Sequence, residues 1–153
     1  MLNQQIIHNQ TAYKRVRIIR YFPELLEGIY LVKRKGEKSS GYDHYGFVVS
    51  GKFLKSFNLP EGKTKVIHKT DIGVVENDYD SLSWQVIYKM PENETLLAIL
   101  RTKQSLNDKY NLLFDNCEHF ARYVTTGKKE SSQVQNLVAF VLVASLFIWA
   151  NKK

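Results

Sequence analysis

Short apolar runs separated by polar turns occupy the stretch between residues 28 and 88. The runs are rich in Val, Ile, Tyr and Phe and are bounded by Gly, Ser, Asn and Asp, which is typical of β-strands. The Ser50-Gly51-Lys52 turn predicts a hairpin in which residues 53–57 pair with residues 45–49. In all, the pattern predicts five strands, over residues 28–32, 45–49, 53–57, 65–75 and 82–88.

After Pro91 the pattern changes to that of helices. Apolar residues at positions 96, 97, 99 and 100 have helical spacing, which predicts a helix that ends near Leu106. A second helix is predicted from Asn116 to Gly127, because Asn is a favoured N-cap and Gly often follows a helix end. Strands followed by helices indicate an α+β fold, with an antiparallel sheet packed by two helices.

The C-terminal segment is the most hydrophobic part of the chain. Residues 137–150 read LVAFVLVASLFIWA and contain one polar residue, Ser145. As a helix they would measure about 21 Å, and a start at Val134 brings the length closer to the bilayer core of about 30 Å. Apolar residues occupy every face, whereas a helix at the edge of a small domain should carry one apolar stripe. We therefore predict a membrane anchor rather than a buried core helix.

Composition and charge limit the class of protein. With 153 residues, 44% of them hydrophobic and 24% charged, the chain has room for one globular domain and the anchor. We place the domain in residues 1–130 and a linker with the anchor helix in residues 131–153. The net charge is +7, and residues 1–40 hold eight Lys or Arg against three Asp or Glu, which suits an anionic partner. The first ten residues lack the features of a secretory signal, which favours a reducing compartment.

One cysteine and one histidine are the candidate reactive groups. Cys117 follows Asn116, so it falls in the first helical turn, where the helix dipole is expected to lower the pKa of the thiol. His44 opens a predicted strand beside Gly46 and could act as the base of a nucleophile–base dyad. An inert buried cysteine is the alternative interpretation, since Cys is among the most buried residue types.

The remaining polar candidates have weaker signals. A third group normally orients the base, and Ser56 and His68 are both candidates. His119 is expected to make a structural hydrogen bond, and His8 is assigned no role. No residues have the spacing of metal ligands, and no Gly-rich phosphate loop is present, so neither a metal nor a cofactor is expected.

The segments DHYGFVVSG (43–51) and YNLLFDNCEHFARYVTTG (110–127) together resemble the lecithin:retinol acyltransferase-like family. This family includes small membrane-anchored phospholipase A/acyltransferases. Its two signatures are an H-box, His-Tyr/Trp-Gly/Ala, and an Asn-Cys-Glu-His-Phe box. Both occur here, as His44-Tyr45-Gly46 and as residues 116–120. The resemblance covers about residues 25–127 and implies a permuted papain-like fold.

The resemblance also implies roles for the candidate residues. His44 would deprotonate Cys117, and the thiolate would attack a phospholipid ester to form an acyl-thioester. In the family a second histidine lies on the strand that pairs with the H-box strand. If the two sequences are aligned from the first histidine without a gap, the position of the second histidine is occupied here by Ser56. If this chain has an insertion, His68 could take that role, and both possibilities remain open. The acidic residue that the family has at the start of its first strand is replaced by Ile29.

We therefore expect a membrane-anchored thiol phospholipase A/acyltransferase, with the phospholipid membrane and an acyl acceptor as its partners. Nucleic acid is not expected, because no recognised module with stacking aromatics accompanies the positive charge. Two alternatives are a catalytically inactive relative that serves as an interaction or RNA-binding module, and a cysteine peptidase or amidase. The anchor is expected to hold the catalytic domain on the cytoplasmic side of a membrane.

Overall fold

The computed structural model describes residue 25 and residues 27–36 and 41–152. Most of the basic region predicted in residues 1–40, including His8, lies outside these residues. In the described chain, five strands form one antiparallel sheet in the order β4-β3-β2-β1-β5. The strands are β1 Gly28–Arg34, β2 His44–Ser50, β3 Lys65–Thr70, β4 Gly73–Asp78 and β5 Gln85–Lys89. The helices are α1 Phe53–Ser56, α2 Thr95–Ser105, α3 Cys117–Thr126 and α4 Ser132–Ala150, with a 3₁₀ turn at Glu92–Glu94. The predicted α+β class is confirmed.

The core lies mainly between the sheet and α3. Strand β1 is buried on both faces. Because side chains alternate between the faces of a strand, Ile29 and Leu31 both lie on the helix side. There Ile29 shares a cluster with Phe120 and Val124 of α3, and Leu31 shares another with Cys117 and Ala121. The opposite face of the sheet is covered by a smaller cluster around Trp84. This arrangement brings the start of α3 close to the start of β2.

The prediction that residues 53–57 form a strand is wrong. Phe53 and Leu54 are both buried in the same cluster and Phe57 packs against it, which is a helical rather than an alternating pattern. Residues 53–56 therefore form the short helix α1, and β3 becomes the direct neighbour of β2. As a result, His68 on β3 lies opposite Gly46 on β2.

The prediction of one strand over residues 65–75 is also wrong. These residues begin a hairpin, in which β3 turns at Asp71 and Ile72 into β4. Ile72 is 85% exposed, so the apolar residue that made the run look continuous lies at the turn. Gly73 has a φ of 123°, which residues other than glycine rarely adopt.

The two predicted helices after Pro91 are confirmed with small changes at their ends. The first runs over Thr95–Ser105, and the second over Cys117–Thr126. Gly127 ends the second helix with a φ of 77°, a left-handed conformation that favours glycine.

The C-terminal helix α4 has no buried residue along its 19 positions. Its mean hydropathy of 1.8 and its length make it long and apolar enough to cross a membrane. At 1.5 Å per residue it measures about 28 Å, close to a bilayer core of about 30 Å. It begins at Ser132, within the segment predicted as linker, because Ser131 caps its first turn by accepting a hydrogen bond from the Val134 N–H.

Candidate active site

A capping box holds Cys117 at the start of α3. The side-chain oxygen of Asn116 accepts hydrogen bonds from the backbone N–H groups of Glu118 and His119. In return, the Asn116 N–H donates to Nδ1 of His119 at 3.4 Å. His119 thus makes the structural hydrogen bond expected from the sequence. Cys117 is only 6% exposed and packs against Leu31 and Ala121.

A buried ion pair supports the residues just before the cysteine. Nζ of Lys69 lies 2.7 Å from a carboxylate oxygen of Asp115, and the Lys69 side chain is fully buried. Nδ2 of Asn116 also donates to the carbonyl of Leu112. These contacts connect the loop before Cys117 to strand β3. Asp115 also lies 3.5 Å from Nζ of Lys129, so it is removal of Asp115 that would leave the buried Lys69 ammonium without this compensation.

His44 contacts a second histidine rather than a serine. Nε2 of His44 lies 2.7 Å from Nδ1 of His68, and Nε2 of His68 lies 2.7 Å from the side-chain amide of Asn77. Gly46 permits this pairing, because a Cβ there would lie 2.9 Å from the carbonyl oxygen of Ile67. The result is a hydrogen-bonded chain His44–His68–Asn77 across β2, β3 and β4.

Ser56 lies elsewhere in the molecule. It is the last residue of α1 and lines a surface depression together with Phe57 and Ile99. His44 and Cys117, in contrast, line one open cleft of about 740 Å³, which we call the substrate cleft. The structure thus brings together Cys117, His44 and His68, and separates Ser56 from them.

The electrostatics of the site favour neutral groups. Burial, then His68 and Arg34, lower the pKa of His44 to about 4. Burial and Arg34 likewise lower the pKa of His68 to about 4. Burial raises the pKa of the Cys117 thiol, although the backbone N–H groups of Tyr45 and Glu118 act in the opposite direction. The N–H groups at the helix start thus act in the expected direction, but burial outweighs them and the pKa of the thiol is raised rather than lowered. The resting pair is a thiol and a neutral imidazole.

Aromatic and basic side chains surround the histidines. The ring of Trp84 lies 5.9 Å from the His44 ring and 5.8 Å from the His68 ring, measured between centroids. The Arg34 guanidinium stacks on the same indole at 4.9 Å. Arg34 and Lys35 also line the substrate cleft. The cleft is thus lined both by the two candidate reactive groups and by two cations.

Glu118, the residue after the candidate nucleophile, is completely buried and connects α3 to α4. Its carboxylate accepts hydrogen bonds from Arg122, from the hydroxyls of Ser131 and Ser132, and from the N–H of Gln133. Burial raises the pKa of this carboxyl, but the hydrogen bonds outweigh burial and hold the pKa at about 2. The carboxylate is therefore ionised at every physiological pH.

Gln133 makes the matching connection on the histidine side. Its side-chain oxygen accepts from the Asp43 N–H at 2.8 Å, and its amide nitrogen donates to the Asp43 carbonyl at 3.0 Å. Asp43 directly precedes His44. The first turn of α4 is therefore bound both beside the candidate nucleophile and beside the candidate base.

Sequence reasoning missed Asn77, Trp84, Glu118 and Gln133 as parts of this site. Asn77 lies between the predicted strands 65–75 and 82–88, and its position on β4 follows once residues 73–78 are treated as a strand. Gln133 carries no local signal, because its partner Asp43 lies 90 residues earlier. In the described residues, no group of three His, Cys, Asp or Glu side chains is placed to hold a metal ion.

Comparison with known proteins agrees with this geometry. The sequence model of the family described as lecithin retinol acyltransferase matches residues 29–130, about two thirds of the chain. The match contains both the His44 and the Cys117 boxes. The chain belongs to this family, whose members are generally thiol-dependent acyltransferases. Comparison with curated proteins and with solved structures found no match.

Proposed function

We propose that the protein is a membrane-anchored thiol phospholipase A/acyltransferase. It takes an acyl chain from a glycerophospholipid through a thioester on Cys117 and passes the chain to water or to an amine or alcohol. The observation that carries the proposal is the shared substrate cleft of His44 and Cys117, with His44 bonded to His68 and Asn77. Membership of the acyltransferase family supports the reaction class.

The hydrogen-bonded histidines support a definite protonation state. For His44 to accept the thiol proton, its Nδ1 must be unprotonated, so its Nε2–H donates to Nδ1 of His68. Nε2–H of His68 then donates to Asn77, which requires the Asn77 amide to be turned so that its oxygen, rather than the nitrogen that lies 2.7 Å from Nε2, accepts this hydrogen bond. His68 is a positioning residue in this scheme, because it fixes the tautomer and the ring orientation of His44.

The first step transfers a proton and forms a carbon–sulfur bond. The Cys117 proton moves to His44 as the sulfur attacks the ester carbonyl, and the carbonyl oxygen becomes an oxyanion. Asn116 already occupies the amides of Glu118 and His119, so the amide of Cys117 itself is the donor we assign to that oxyanion. Collapse of the intermediate releases the lysophospholipid oxygen, which takes the proton from the His44 imidazolium.

The second step reverses the first with a new nucleophile. Water, an amine or an alcohol gives its proton to His44 and attacks the thioester. The thiolate leaves and recovers the proton, which restores the resting thiol and neutral imidazole. Neutral groups at rest suit this cycle, because the charge pair forms only during attack.

Two features support a lipid surface as the place of reaction. Arg34 and Lys35 line the substrate cleft, where they can attract the phosphate of the headgroup. The exposed apolar helix α4 would anchor the domain, on the cytoplasmic side, next to its substrate.

The test uses the full-length protein in phospholipid nanodiscs. Released fatty acid, and acyl product formed with an added amine, are measured for the wild type and for Cys117→Ser. The proposal predicts both products for the wild type and neither for the variant. Equal release by both proteins would contradict it, and no release by a folded wild type would favour the inactive relative.

A further inference from the structure

A second, smaller cleft is lined both by Cys117 and by residues of the C-terminal helix. Its lining combines Leu112 and Leu113 of the loop before α3, Val134 and Leu137 of α4, and Cys117 with five residues that carry polar side-chain groups. We call this space the side cleft. Its volume of about 40 Å³ has room for about three water-sized groups, at 10–15 Å³ each.

Hydrogen bonds fix the α4 wall of the side cleft. Gln133, adjacent to Val134, holds the backbone of Asp43 through both ends of its amide. Glu118, adjacent to Cys117, accepts from Ser131, Ser132 and the Gln133 N–H. The distance between the sulfur and the helix is thus set by contacts on both sides of the cleft.

The surface beyond the side cleft is apolar. Leu112, Leu113 and Phe114 are 54%, 42% and 74% exposed at the tip of the loop before Cys117. On α4, Phe140 and Val141 continue the apolar surface past Leu137 and are 71% and 52% exposed. A hydrocarbon chain leaving the side cleft between these residues would therefore have apolar side chains on both sides as it passed into a bilayer.

We propose that the side cleft is the acyl-chain subsite, and that the first turns of α4 are part of it. The proposal rests on the proposed function. The ester carbonyl lies at Cys117, about the first three carbons of the chain lie between Leu113 and Val134, and the rest lies along α4 in the bilayer. A cleft of this size selects against branches close to the carbonyl and is insensitive to the total chain length.

The experiment compares two acyl donors on the full-length protein in nanodiscs. The acyl chain of phosphatidylcholine must occupy the whole subsite. The acyl group of p-nitrophenyl acetate is a single methyl group beyond the carbonyl and occupies only a small part of the subsite. The rate of Cys117 acylation is measured with each donor, and the ratio of the two rates is the readout. The short ester also reports whether a variant is folded and reactive.

The variant that narrows the side cleft is Val134→Phe. Its matched control is Val143→Phe, because Val143 is 65% exposed and does not line the cleft. Val134→Phe is expected to lower the phosphatidylcholine-to-acetate ratio by about tenfold, and Val143→Phe to leave the ratio at the wild-type value. An unchanged ratio for Val134→Phe, or the same fall for both variants, would overturn the subsite. A wild type acylated by the acetate but not by the phospholipid would instead overturn the proposed function, and the subsite with it.

The widening variant is Leu137→Ala, matched by Leu142→Ala, whose side chain is 60% exposed. Phosphatidylcholine with a methyl branch beside the acyl carbonyl should be a poor donor for the wild type. Leu137→Ala is expected to reduce the ratio of the acylation rate with the straight-chain donor to that with the branched donor. Leu142→Ala is expected to leave this ratio unchanged. Equal rates with branched and straight donors in the wild type would overturn the proposal.

Discussion

Replacing Glu118 by Gln tests whether the buried carboxylate holds the C-terminal helix on the α+β domain. The carboxylate has no exposed surface and accepts hydrogen bonds from Arg122 of α3 and from Ser131, Ser132 and Gln133 at the start of α4. Glutamine has nearly the same shape, but it loses the charge and turns an NH₂ group toward donors that need an acceptor. We therefore expect a loss of stability without a change in packing volume.

The pKa of Glu118 sets the size of this loss. Holding the pKa at about 2 instead of the ordinary 4.5 corresponds to about 3 kcal/mol, at 1.36 kcal/mol per pH unit. Because the pKa in the folded protein is depressed, this stabilisation is fully present above pH 4.5 and is lost as the pH falls toward 2. Loss of a partner in a buried charged network costs 3–5 kcal/mol in general, which agrees in size.

The assay is denaturant unfolding in detergent micelles, followed by circular dichroism, for the wild type and for Glu118→Gln. The matched control is Glu61→Gln, which changes an exposed carboxylate and should lie within about 0.5 kcal/mol of the wild type. The difference between wild type and Glu118→Gln should be about 3 kcal/mol at pH 7 and should shrink between pH 4.5 and 2. A difference below about 0.5 kcal/mol at pH 7, or one that does not change with pH, would refute the reasoning.

Two further predictions concern the histidines. His68→Ala should slow acylation of Cys117 by phosphatidylcholine by about a hundredfold, because His68 is hydrogen-bonded to His44. Ser56→Ala should leave the acylation rate unchanged, because Ser56 lines a different depression and does not contact His44. Equal effects of the two variants would contradict a positioning role for His68, and rescue by His68→Gln would support a hydrogen-bonding role. The acylation rate should fall only as the pH drops through about 4, because His44 is neutral above that pH. An acid limb near 6.5, the ordinary pKa of histidine, would show that burial does not depress the pKa of His44.

Local signals were enough to predict the parts of the fold that depend on neighbours in sequence. Asn116 and Gly127 fit the N-cap and the end of α3 because capping involves residues within one turn. The apolar character of residues 137–150 likewise depends only on their own side chains. The two boxes identified the family from short continuous segments.

Errors arose where the outcome depends on distant contacts. Residues 53–57 were apolar enough for a strand, but the burial of both Phe53 and Leu54 in one cluster required a helix. That single change made β3 the neighbour of β2 and decided between Ser56 and His68 as the partner of His44. The pKa of Cys117 depended on burial by the sheet, which a sequence pattern does not measure.

The central claim is tested most directly by the mass of the intact protein. Full-length wild type and Cys117→Ser are incubated with phosphatidylcholine of one acyl type and examined before turnover is complete. We predict a mass increase of one acyl group on the wild type, mapped to Cys117 and removed by hydroxylamine, and no thioester on the variant. A folded wild type with a titratable thiol and no adduct, or an adduct at another residue, would contradict the account.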